Sequence, residues 1–163
     1  MIAGGGAQAL ADLLTVPGAS KTVLEALVPY SDRSLKEFLG EAPRQAVSVE
    51  TASALAGTAY QRALALRREP TLAVLGLSCT ATLVTDRPKK GDHRAHIGLC
   101  TAHDAHVYSL TLAKGARDRQ GEERIVSNLL VNVLATACKV KALAEIGLLS
   151  SERVVVESTR TPA

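Results

Sequence analysis

Apolar residues recur at helical spacing over residues 7–15, where Ala7, Leu10, Ala11 and Leu14 share one face. Pro17 and Gly18 then stop that helix in a turn. The next stretch predicts a short helix over residues 21–25 and a short strand over 27–30. Ser31 or Asp32 can cap a helix that buries Leu35, Phe38 and Leu39 and stops at Gly40. The clearest helix starts after Ser48, carries Glu50 in its first turn, and places Ala52, Leu55, Ala59, Ala63 and Leu66 in one stripe. Arg67, Arg68 and the Glu69-Pro70 pair close it.

Residues 71–79, TLAVLGLSC, form a continuous apolar run, the pattern of a strand covered on both faces. HIGLCTA and VYSLTLA alternate around HDAH and predict an antiparallel hairpin with strands near 95–102 and 106–113. A long helix is expected over 122–146, with Ile125, Leu129, Val133, Leu134 and Ala137 on one face. RVVVEST, at 153–159, reads as a late strand or a tail. The fold class is therefore α/β: one layered domain over residues 1–163, a mixed sheet flanked by helices.

Composition narrows the function. Hydrophobic residues make up 47% of the 163, so a real core is expected, but aromatics are only 2%, with no Trp and one Phe. Leu, Val and Ala must fill that core. Three Tyr and one Phe cannot supply many stacking contacts for single-stranded nucleic acid, and a net charge of +3 is mildly basic, not the dense positive face of a duplex-binding protein. Neither a nucleic-acid nor a membrane partner is expected; no run approaches the roughly 18 apolar residues of a membrane helix. Three scattered cysteines, Cys79, Cys100 and Cys138, read as reduced thiols of a cytoplasmic protein.

Several segments could carry chemistry. Gly4, Gly5 and Gly6 run into the first helix, where backbone amides can hold an anion without a side chain; a plain helix entry is the other reading. Arg87, Lys89, Lys90, His93 and Arg94 crowd the connection TDRPKKGDHR, which reads as a phosphate or carboxylate clamp or as a solvated loop. His93, His96, His103 and His106 invite a metal site, but residues three apart on a strand point to opposite faces, so no metal is assigned. Tyr30, Ser31 and Lys36 lie close together at a helix entry and could serve acyl transfer if Lys36 loses its proton; a capped helix with an exposed Lys is the other reading. Arg117, Arg119 and Arg124 face Glu122 and Glu123 in a helix-start charge cluster, with Arg119 a possible second anion contact.

Taken in order, these pieces resemble the C-terminal domain of CinA, the nicotinamide-nucleotide amidohydrolase family. The resemblance is carried by GGG entering a helix, VPGAS at 16–20, YSD at 30–32, AVSVE at 46–50, AVLGL at 73–77 and GARDR at 115–119. It implies hydrolysis of the carboxamide of a pyridine mononucleotide, without a cofactor, by a loop Ser assisted by Tyr and Lys. Here the Ser position falls on Ala3 and the Lys position on Leu35, with Lys36 turned about 100° further round a helix. Tyr30 matches the family Tyr. Ser31, Ser78 or Thr80 would have to replace the nucleophile, and Thr80 is placed with the substrate-binding residues. The family also sets a helix and a strand before its loop, which implies that Met1 is a truncated or internal start. In some members of a divergent branch the domain is joined to a nucleotidylyltransferase-like domain, an implied partner beside a small-molecule nucleotide and a second copy of the chain. Two functions are thus expected: a nucleotide amidohydrolase with an altered site, or a non-catalytic nucleotide-phosphate-binding or regulatory module.

Overall fold

The computed structural model describes residues 1–159. Five strands form one sheet in the order β1-β2-β3-β4-β5: β1 Ile2–Ala3, β2 Gly76–Thr82, β3 His93–Cys100, β4 Ala105–Leu112 and β5 Val154–Ser158. β1 runs parallel to β2, and β2 to β5 form an antiparallel meander. Four helices flank it: α1 Gln8–Leu14, α2 Asp32–Leu39, α3 Val49–Leu66 and α4 Arg119–Ala137. The α/β layered single domain with a mixed sheet is as the hydrophobic pattern predicts. No helix among the described residues is long and apolar enough to cross a membrane.

Alternation along β2 and β3 divides the core. Cys79, Ala81, Ala95 and Ile97 face α1 and α4, where they meet Ala9, Ile125, Val126, Leu129, Leu130 and Val133. Ser78, Thr80 and Gly98 face α3; Ser78 Oγ donates to Ala52 O at 2.6 Å. α2 adds Leu35 to a smaller cluster with Ala3 and Leu55. The α3 stripe is Ala52, Leu55, Ala56, Tyr60 and Ala63. Ala59 is only half-buried and Leu66 is 46% exposed, because the helix leaves the sheet before its last turn.

Ser31 and Ser48 cap α2 and α3, accepting from Ser34 N and Thr51 N, as the cap spacing predicts. Other expectations need correction. Residues 21–25 hold no α-helix; a single 3-10 turn covers Ala19–Lys21. Residues 27–30 are not a strand: one bond, Ile2 N to Leu27 O, joins them to β1, and Pro29 has no donor to extend it. β2 begins at Gly76, five residues later than the apolar run suggests, since Leu72 and its neighbours lie on the surface. α4 starts at Arg119, where Asp118 caps it by accepting from Gly121 N, and stops at Ala137, where Lys139 takes a left-handed φ of 58°. The rest of the predicted helix turns back along α4, and the Asn132 side chain both donates to Ala144 O and accepts from Ala144 N. RVVVEST is a strand, and a two-residue strand precedes the glycine loop where the family comparison left none.

Two positions set close limits on this packing. At Gly76 an added Cβ would sit 2.1 Å from Ala56 O and 2.3 Å from Tyr60 N, both backbone atoms of α3. Gly76→Ala is expected to lower stability by about 3 kcal/mol, whereas Gly91→Ala, which meets nothing within 4 Å, leaves stability within about 0.5 kcal/mol; urea unfolding of both variants measures this. Glu152, buried behind β4, accepts from Ala113 N, Leu149 N and both Arg117 guanidinium nitrogens. The Arg117 contact above all holds its pKa down at about 2, against an ordinary 4.5. This contribution to stability is complete above about pH 4.5 and is lost as pH falls towards 2. Glu152→Gln should therefore lower stability at neutral pH and flatten the acid limb of a stability-versus-pH curve over that window.

Candidate functional site

The parallel strands β1 and β2 end side by side, and the glycine loop leaves from the end of β1. Gly4 has φ +90°, and a Cβ there would lie 2.1 Å from Ala81 O, so the loop lies flat on β2 only because that position is Gly. Of the amides in the glycine run, that of Gly6 is engaged within the chain. Glu123, in the first turns of α4, accepts from Gly6 N and Gln8 N, each at 3.0 Å, and from Ser127 Oγ. Its neighbour Glu122 is fully buried, accepting from Val84 N at 2.8 Å and lying 2.6 Å from His93 Nδ1. Glu122 and Glu123 therefore do not pair with Arg117, Arg119 and Arg124, which corrects the predicted charge cluster. Arg117 pairs with Glu152 and Arg124 with Asp12.

Arg119 instead donates to Gly4 O at 2.7 Å and to Val84 O at 3.0 Å, bracing the ends of β1 and β2. Lys89 Nζ reaches the same place from the basic loop, donating to Thr82 Oγ1 and Leu83 O. Arg94 stands opposite Thr82 in the β2–β3 register and donates to Val47 O. Lys114 closes over the loop by donating to Lys89 O and Lys90 O. Burial lowers the pKa of Lys89; Arg119, Lys114 and Arg94 push it the same way, against the opposing pull of Glu122. The partners found for these four cations are carbonyl and hydroxyl oxygens, and none forms an ion pair among the described residues.

Of the predicted site residues, the structure brings together Gly4, Lys89, Arg94 and Arg119. Gly5 packs beneath them on Ala81 and Leu83. Gly6 is turned to Glu123, and His93 to Glu122 inside the core. Thr80 is buried on the α3 face with its hydroxyl donating to Ala46 O. Arg87 and Lys90 are exposed.

Tyr30 is 75% exposed, Ser31 is spent as the α2 cap, and Lys36 is exposed on α2. No described hydrogen bond joins them to the glycine loop or to residues 86–94. The cavity beside them, lined by Met1, Leu27, Val28, Pro29, Ser34 and Phe38, holds about 140 Å³, less than the few hundred Å³ of a typical ligand site. A larger cleft of about 330 Å³ lies between Gln8, Gln120, Glu123 and Arg124. Cys79 is no substitute nucleophile: burial first, then Glu123, pushes its thiol up to about 12.

The histidines fall on opposite faces, His93 towards α4 and His96 towards α3, where His96 Nδ1 lies 2.7 Å from Ser109 Oγ. Among the described residues no His, Cys, Asp and Glu group could hold a metal ion. Sequence reasoning missed Thr82, Lys114, Glu122 and Glu123 as parts of this region. For the last two, the 100° between successive helix residues sends an adjacent acidic pair to different targets, which gives no sign in the sequence of what each would meet. No family model matches the chain, and no curated protein and no solved structure matches it.

Glu123→Ala should free the loop amides and cost about 2 kcal/mol of stability through the two orphaned donors. Faster amide hydrogen exchange at Gly6 and Gln8, with little change in β3 and β4, would report it.

Proposed function

We propose that this chain is a non-catalytic binding module for a phosphate-bearing small molecule, a mononucleotide being the ligand that the CinA resemblance nominates. The observation that carries the reading is the group Lys89, Arg94, Lys114 and Arg119, set around the ends of the parallel strands with neutral oxygens as partners. Clustered cations without a direct ion pair on a β-strand crest are the chemistry that recognises phosphate, and Glu122 is the carboxylate whose charge acts on Lys89. The amidohydrolase reading draws no such support, since Ala3 is a buried strand residue, Tyr30 is exposed and Ser31 is used as the α2 cap.

Calorimetric titration with nicotinamide mononucleotide, adenosine monophosphate and inorganic phosphate tests this. Saturable binding is expected, weakened about tenfold by Arg94→Ala or Arg119→Ala, with no ammonia released from nicotinamide mononucleotide. A flat titration across the panel would overturn the binding reading, and sustained ammonia release would restore the enzyme. The depressed pKa of Lys89 adds a pH signature. Its charge is lost on the alkaline side before that of an ordinary lysine at 10.5, so affinity should fall there as pH rises, and Lys89→Arg should remove that fall while keeping the binding.

A further inference from the structure

The two edges of the sheet are unlike. β1 is two residues long, and its outer side receives Leu27 O. β5 offers five residues, with Val155 52% and Val156 54% exposed. An edge of consecutive β-branched residues with free backbone groups is a template for another strand. Its register with β4 says which groups are free. Thr159 N donates to Ala105 O, so by alternation Val155 and Glu157 turn their amides towards β4. Val154, Val156 and Ser158 therefore turn their N–H and C=O groups outward.

The side chains then select the partner. Arg153-Val154-Val155-Val156-Glu157 is complementary to itself when reversed. With two copies antiparallel and centred on Val155, Val154 of each opposes Val156 of the other, and both have outward-facing backbone groups. Val155 opposes Val155, and Arg153 of each copy stands opposite Glu157 of the other. Both charges are exposed and have no ion-pair partner among the described residues. Directly opposed charges of unlike sign and β-branched pairs are the contacts that stabilise neighbouring strands. We infer that β5 pairs with β5 of a second copy in this register, joining two sheets into one of ten strands. The surface is apolar at its centre and bounded by two Arg–Glu pairs, so its occupant is this chain itself. A register shifted by two, centred on Val156, would set Val155 against Glu157 and forfeit those pairs.

Sedimentation and cross-linking of the full chain test both the partner and the register. The wild type should dimerise with concentration. In a Cys138→Ser background, which removes the exposed thiol, Val155→Cys should link to itself under mild oxidation. The opposed Cα atoms of such a non-hydrogen-bonded pair lie about 4.5 Å apart. Val156→Cys should not link. Arg153→Glu should weaken the dimer about tenfold, and adding Glu157→Arg should restore it; circular dichroism checks that each variant is folded. A wild type that stays monomeric overturns the inference, and slow exchange of its Val154 and Val156 amides would then assign the edge to another segment or partner. Linking at 156 but not at 155, or a dimer indifferent to Arg153→Glu, overturns it as well. None of these readouts depends on nucleotide binding.

Discussion

Two adjacent carboxylates at the start of α4 hold the ends of the parallel strands in place. Glu122 and Glu123 are 100° apart on the helix, so they reach different targets. Glu122 goes inward to Val84 N and His93, tying the exit of β2 to the entry of β3. Glu123 goes sideways to Gly6 N and Gln8 N, fixing the glycine loop and the start of α1. A fully buried carboxylate without donors costs several kcal/mol, so Glu122 specifies its surroundings: the helix, both strand ends and the His93 ring have one arrangement that satisfies it. Ser127, one turn on, donates to Glu123 and accepts from Ala9 N, which carries the same constraint along the α1–α4 contact.

This arrangement determines where positive charge is left over. The chain has 19 Lys and Arg against 16 Asp and Glu, an excess too small to make the whole surface basic. Locally the balance differs. Glu122 and Glu123 face backbone amides and an imidazole, Glu152 takes Arg117, and Asp12 takes Arg124. Lys89, Arg94, Lys114 and Arg119 are left with carbonyls and hydroxyls. Those partners orient the cations without neutralising them. The cation cluster is thus a consequence of the internal use of carboxylates, and the glycine loop contributes to it through the Gly4 carbonyl that positions Arg119, while the Gly6 amide is held by Glu123.

Local signals were legible where they are local in cause. Ser31 and Ser48 cap helices, the hairpin turns at residues 101–104, one to two residues before the expected place, and the apolar period of α3 marks a buried helix, all from residues within a few positions of each other. What escaped depends on residues distant in sequence. The end of α4 is set by Lys139 and by Asn132 gripping Ala144, and an apolar tail continuing in helical period gives no sign of that reversal. A two-residue strand such as Ile2–Ala3 has no period to detect; its pairing with Cys79 and Thr80 creates it. In the site, the cations of residues 87–94 were visible as a run, but their sorting was not. Arg94 and Lys89 turn to the strand ends while His93, one residue from Arg94, faces the core, because strand alternation assigns neighbours to opposite sides.

The same alternation explains why the two ends of the sheet have different chemistry. At the β1 side the edge strand is parallel to its neighbour and only two residues long, so loops and helix starts crowd the crest, and polar side chains find backbone partners there. At the β5 side the meander simply stops. Val154 still packs on the core beside Tyr108 and Leu110, but Val155 and Val156 lie past the reach of α3 and α4. A charge on the central valine would have protected this edge at little cost to the core, since that position is half exposed. The chain places its charges at Arg153 and Glu157 instead, outside the apolar triplet, where they leave the edge open to a strand of matching order. At the β1 edge the chain lays Leu27 against the outer side of Ile2, and at the β5 edge its outward groups are arranged by position and by charge.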